Sequence, residues 1–148
     1  MHELHTEIDI EATPETVWWI LTNFAVYPEW NPFIRQVMGV AQPGTKLMVR
    51  IHPSGAKAMS FRLTVLAVER PRELRWLGRF LLPGLFDGEH QFKLQAMASS
   101  VRFTQSERVS GILVPLFRRS LDTDTKRGFL EMNLALKRPA EQPTHVAA

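Results

Sequence analysis

The stretch Thr13-Pro14-Glu15-Thr16-Val17-Trp18-Trp19-Ile20-Leu21-Thr22-Asn23-Phe24, continuing to Tyr27-Pro28-Glu29-Trp30-Asn31-Pro32-Phe33, decides the fold. Thr13 is a good N-cap, and Pro14 falls at the first helical position, where a missing N–H costs nothing. Val17, Ile20, Leu21 and Phe24 then stand at i, i+3, i+4 and i+7, forming one apolar stripe. The stretch predicts a short amphipathic helix, a break and a second helix of one turn. Two such helices cannot cover a large antiparallel sheet. Another element must close the fold, and what it leaves uncovered becomes a pocket.

On the N-terminal side, Leu4, Thr6, Ile8 and Ile10 alternate with His5, Glu7, Asp9 and Glu11, a strand with period two. On the other side, strand patterns recur at hairpin spacing: Ile34 to Val40, Thr45 to His52, Ser60 to Val68, Leu74 to Phe80, Glu89 to Ala96 and Val101 to Arg108. Gln42-Pro43-Gly44-Thr45 suits a type II turn between two of them. About seven strands joined by short turns imply an antiparallel sheet without crossover helices. From Pro115 the period changes. Phe117, Leu121, Gly128, Met132 and Leu136 recur at helical spacing, which predicts a long helix to Lys137, ahead of Pro139. Gly128 inside that helix costs about 1 kcal/mol against Ala, which points to close approach of another element or to room for a ligand. Residues 139–148, with Pro139 and Pro143 and no apolar period, read as a flexible tail. The whole is one α+β domain over residues 1–138: a curved seven-stranded sheet wrapped around the long C-terminal helix and roofed by the two short ones.

Alternate side chains of a strand share a face. His90 shares its face with Phe92 and Leu94, and Gln105 and Glu107 share theirs with Val101 and Phe103. Trp76 goes inward with Leu74. Three polar groups on an apolar face need a reason, because buried polar groups are costly without partners. One reason is a polar end to an apolar pocket, with His90 and Glu107 able to move a proton. The other is that the three satisfy one another or reach solvent at the strand ends. Trp30, Trp76, His90, Phe92, Phe103, Gln105, Phe117, Phe129 and Met132 are the candidate wall of such a pocket. Trp30 is expected either to roof it or to seal the core, and Asn31 before Pro32 is expected to cap a turn. Trp18 and Trp19 are adjacent, so only one of them can face inward.

Composition narrows the classes. With 148 residues, 45% apolar and 22% charged, the chain is of ordinary globular make-up and large enough for a real core. No apolar run approaches the roughly 20 residues of a membrane helix. The first residues lack the pattern of a secretory signal, so a cytoplasmic location is expected. The absence of cysteine excludes disulfides and thiolate chemistry. A formal charge of +3 with interleaved acids argues against a nucleic-acid partner. No Gly-x-Gly-x-x-Gly, phosphate loop or His-x-x-x-His occurs, so neither a cofactor nor a metal is expected. The sequence leaves a homo-oligomer open.

The two opening segments, with Leu74-Arg75-Trp76-Leu77-Gly78, Gly88-Glu89-His90-Gln91-Phe92, Phe103-Thr104-Gln105-Ser106-Glu107, Gly111-Ile112-Leu113 and the helix through Gly128 to Lys137, resemble the SRPBCC superfamily. That superfamily is also called START or birch-pollen-allergen-like, and the chain is most similar to its bacterial polyketide cyclase/dehydrase-like group. The resemblance spans nearly the whole chain. It implies a helix-grip fold with a deep apolar cavity for a lipid, aromatic or polyketide-like molecule. Similar members include enzymes, carriers and stress or toxin proteins, and no aromatase or cyclase motif carries over residue by residue. Three functions therefore stand: a binding protein for a small hydrophobic molecule, a cyclase or dehydratase using His90 and Glu107, and a protein-interaction module of the toxin or chaperone-activator kind.

Overall fold

The computed structural model describes residues 1–53, 55–79 and 82–142. Seven antiparallel strands form one sheet: β1 (His2–Ile10), β2 (Ile34–Met38), β3 (Lys46–Ile51), β4 (Met59–Glu69), β5 (Glu73–Arg79), β6 (Asp87–Ala96) and β7 (Val101–Ser110). Their order across the sheet is β1-β7-β6-β5-β4-β3-β2, so the first strand lies against the last and the other neighbours are sequential. The strand ends differ from the sequence pattern by a residue or two; the expected end at Phe80 lies outside the described residues. The predicted turn is present, with Thr45 N–H donating to the Gln42 carbonyl at 3.1 Å and Gly44 at φ +85°, the left-handed value a type II turn requires. Register shifts between Ile34 and Gln36 and between Val65 and Ala67 add local twist, which helps the sheet curl into a half-barrel.

Helix α1 (Pro14–Thr22) is capped by the Thr13 hydroxyl, which accepts from Thr16 N–H. It buries Val17, Trp18, Ile20 and Leu21. Trp18 is 5% exposed and Trp19 is 49% exposed, so the adjacent pair divides between core and surface. A 3₁₀ turn over Phe24–Val26 leads into the single turn of α2 (Tyr27–Trp30). Tyr27 is buried against Phe24; its hydroxyl donates to the Leu21 carbonyl, and burial pushes its ionisation upward.

The C-terminal helix has three parts: α3 (Val114–Ser120), a π turn over Leu121–Thr125, and α4 (Lys126–Glu141). The helix is tied to β1 along its length. His2 Nε2 lies 2.6 Å from Asp122 Oδ1, Asn133 Nδ2 donates to Thr6 Oγ1 at 3.1 Å, and Lys137 Nζ donates to the Asp9 carbonyl at 2.9 Å. Near its end, Glu141 Oε2 accepts from Glu11 N–H at 2.8 Å. The Lys137 ammonium, and after it that N–H, hold the Glu141 carboxyl below the usual carboxylate range.

These ties correct the expected helix end. The helix runs through Pro139 to Glu141, giving up the bond from position 139 to the Ala135 carbonyl, because Ala140 is buried and Glu141 is clamped. Residues 139–141 are therefore not part of a flexible tail. Residues 143–148, where the rest of that tail was expected, lie outside the described residues. Gly128 is explained by close approach, since a Cβ there would overlap the Phe33 ring.

Candidate functional site

The helix lies along the β1 side of the concave face and leaves the β3–β6 side open. A cavity of about 210 Å³ remains there. That is more than the roughly 150 Å³ hole that binds benzene and less than the roughly 300–1,000 Å³ of drug-sized sites.

Its walls come from several elements. Asn31, fully buried, accepts with Oδ1 from Phe33 N–H at 2.9 Å and Ile34 N–H at 2.8 Å, the turn-capping role expected of it. That turn sets Phe33 over Gly128, edge-on to Phe129 with ring centres 5.5 Å apart. Ile51, Phe61, Leu63 and Trp76 continue the wall along the sheet. Gly78 and Gly88, register partners on β5 and β6, also line it, and each has the inward parity of its strand. Gly78 leaves room for the end of the Leu63 side chain, and Gly88 lies open to the cavity beside Glu107 Oε2.

The helix supplies Phe117, Leu121, Thr125 and Phe129, spaced four apart. In a regular α-helix, steps of four drift by about 40° each. The wider π turn takes back part of that drift and keeps all four residues on the cavity. Phe117 stands half-exposed against Phe86, with ring centres 5.4 Å apart, among Arg79, Ser120 and Asp124.

The inner end is polar. His90 and Glu107 are register partners on β6 and β7, with Nδ1 and Oε1 3.0 Å apart. The His90 side chain is 4% exposed and that of Glu107 20%. His90 Nε2 lies 3.0 Å from Gln105 Oε1. Gln105 Nε2 donates to the Phe129 carbonyl at 3.3 Å and to Asn133 Oδ1 at 2.7 Å, and Asn133 passes the chain on to Thr6. The Phe129 carbonyl can only accept, so the amide of Gln105 has one orientation, with its oxygen toward His90. His90 Nε2 therefore carries a hydrogen and donates it. Both nitrogens of His90 are thus engaged. Rings of Phe92, Phe129 and Trp76 surround it, with centres 4.4, 4.9 and 6.0 Å away.

Of the candidate residues read from sequence, Trp76, His90, Glu107, Phe117 and Phe129 line the cavity. Gln105, Phe92, Phe103 and Met132 do not. Gln105 sits behind His90, and Phe92, Phe103 and Met132 are fully buried where the helix fills the concave face. Trp30 packs on Tyr27, with ring centres 5.1 Å apart, and seals the core outside the cavity. The sequence reading missed Phe33, Leu63 and Leu121 in the wall, and Asn133 and Thr6 in the polar chain. For Phe33 a signal existed in Gly128, which had to accommodate something. Among the described residues no three His, Asp or Glu side chains gather as a metal site would need, and no helix is long and apolar enough to cross a membrane.

Known structures share this architecture. The di-domain ARO/CYC StfQ from the steffimycin biosynthetic pathway superposes with a TM-score of 0.76 at 10% identity, over 99% of this chain and 52% of that one. The chain thus spans about half the length of that protein. MLL2253 from Mesorhizobium loti gives 0.71 at 20% identity, covering 93% and 95% of the two chains. Ara h 8.0201 gives 0.69 at 17% identity, covering 94% and 97%. At these identities the likeness is one of fold. No protein of curated function matches. A family model described as polyketide cyclase / dehydrase and lipid transport matches residues 1–138, and with nearly the whole chain inside it, this protein belongs to that SRPBCC-type family.

Proposed function

We propose that this protein binds a small hydrophobic molecule, aromatic or polyketide-like in character, in the cavity between sheet and terminal helix. The observation that carries this reading is the cavity of about 210 Å³, walled by Phe33, Leu63, Trp76 and Phe129 and polar at its His90–Glu107 end. Apolar walls with a few convergent polar groups are what such sites need. The volume suits one or two rings, and a lipid chain would extend through the mouth beside Phe117. The test is titration with a neutral polyaromatic fluorophore, N-phenyl-1-naphthylamine, and with a fluorescent fatty acid. Saturable binding at one site is expected. A linear, non-saturating response to both probes overturns the reading.

A second reading is a cyclase or dehydratase, favoured by the 3.0 Å contact of His90 with Glu107. In it the Glu107 carboxylate takes the α-proton of a β-dicarbonyl group, and the C–H electrons move into the enolate. Its test is hydrogen–deuterium exchange at the α-carbon of a cyclic 1,3-diketone, followed by NMR. An exchange rate no faster than in buffer counts against it. A protein-interaction module would be favoured by a large exposed apolar patch around Trp18 or Trp19 with no internal cavity. With Trp18 buried and a cavity present, that combination does not occur.

A further inference from the structure

We propose that Glu107, through Oε2, is the group that meets the inner end of the ligand, that His90 is its positioning residue, and that the site therefore selects molecules whose inner end is a neutral hydrogen-bond donor. The proposal rests on the ligand-binding reading and gives it a chemical class.

Gln105 is oriented by the Phe129 carbonyl, so it presents an acceptor to His90 Nε2, which must carry a hydrogen. The remaining ring nitrogen, Nδ1, faces Glu107 Oε1 at 3.0 Å, and one hydrogen lies between them. If it is on Nδ1, the pair is imidazolium and carboxylate. If it is on Oε1, the pair is imidazole and carboxylic acid. The pair is neutral overall in both forms, and Oε2 has no hydrogen in either. It is an acceptor wherever the proton sits.

His90 has no nitrogen left to offer a ligand. Oε2 has no hydrogen-bond partner among the described residues, and it lies beside Gly88, 3.4 Å from where a Cβ would stand. Both Gly88 and Glu107 line the cavity. A hydroxyl, a phenol or an amide N–H fits such an oxygen. A carboxylate at the inner end would set two acceptors against each other in an apolar hole, and is disfavoured.

The experiment compares naphthalene, 2-naphthol and 2-naphthoate on the full-length protein by calorimetry. Wild type is expected to bind 2-naphthol about five- to tenfold more tightly than naphthalene, the scale of one hydrogen bond, and 2-naphthoate more weakly than either. Glu107→Met should erase the preference for 2-naphthol over naphthalene; the ratio of the two affinities within the variant is the readout, since the change also removes the partner of His90 Nδ1. Glu107→Gln should retain it, because its amide N–H₂ satisfies Nδ1 of His90 and its carbonyl then faces the cavity. Equal binding of 2-naphthol and naphthalene by wild type overturns the proposal, and so does a preference that survives Glu107→Met. The wild-type comparison decides even if the methionine variant does not fold. Failure of naphthalene itself to bind overturns the ligand-binding reading instead.

Discussion

Gly78 and Gly88 stand opposite each other on β5 and β6, both with inward parity and both on the cavity. At Gly88 a Cβ would meet Glu107 Oε2 at 3.4 Å, ordinary van der Waals distance, whereas at Gly78 it would press on the end of the Leu63 side chain. Gly88 is therefore the position where the cavity can be filled without disturbing the sheet. Gly88→Val should fold, aided by the strand preference of valine, and should lower fluorophore affinity more than about tenfold. Probe titration beside thermal unfolding checks this. Unchanged affinity in a folded variant would mean that the probe sits elsewhere.

Gly128 is held by Phe33. Replacing a mid-helix glycine with alanine ordinarily gains about 1 kcal/mol. Here the new methyl overlaps a ring whose backbone is fixed by Asn31, so Gly128→Ala should destabilise by about 1–3 kcal/mol. Adding Phe33→Ala should recover part of that loss, a non-additivity measurable in a double-mutant cycle by urea unfolding.

Asn133 joins the helix to the polar chain, accepting from Gln105 and donating to Thr6. Asn133→Leu leaves Thr6 without that donor and Gln105 with only the longer bond to Phe129. A cost of about 1–3 kcal/mol is expected in chemical unfolding. A neutral or stabilising result would show that the buried chain contributes specificity rather than stability.

Glu141 carries a pH dependence. Its carboxyl is held down in the folded state by Lys137 and by Glu11 N–H, so its contribution is present above the usual carboxylate range and is lost as pH falls through the lowered folded value. The gap in stability between wild type and Glu141→Gln should be widest near neutrality and close in acid. Unfolding midpoints of the two proteins at pH 7 and below about pH 3 check the sign.

The sheet was legible because alternation and turn residues are local signals, and strand parity alone set His90, Gln105 and Glu107 on one face. Parity assigns a face but not a depth. Phe92, Phe103 and Met132 share the face of the cavity and yet lie under the helix, because the helix covers only the β1 side of the sheet. The chamber itself left little trace, since it rests on side chains missing at Gly88, which opens it beside Glu107, and at Gly78, which seats the end of Leu63. Asn133 on a helix with many polar positions looks like a solvent residue, and Thr6 in a strand looks like an ordinary β-former. Only their pairing across 127 positions gives them a role. At Pro139 the local rule for ending a helix yielded to the burial of Ala140 and the clamp on Glu141.

The ties between β1 and the terminal helix bear on how the chain matures. His2, Thr6, Asp9 and Glu11 find their partners at positions 122 to 141, so β1 is secured only when the terminal helix docks. Until that helix docks, the concave sheet has no lid and its apolar lining faces solvent. The chain is thus most exposed to aggregation while its sheet is formed and its terminal helix is not yet in place.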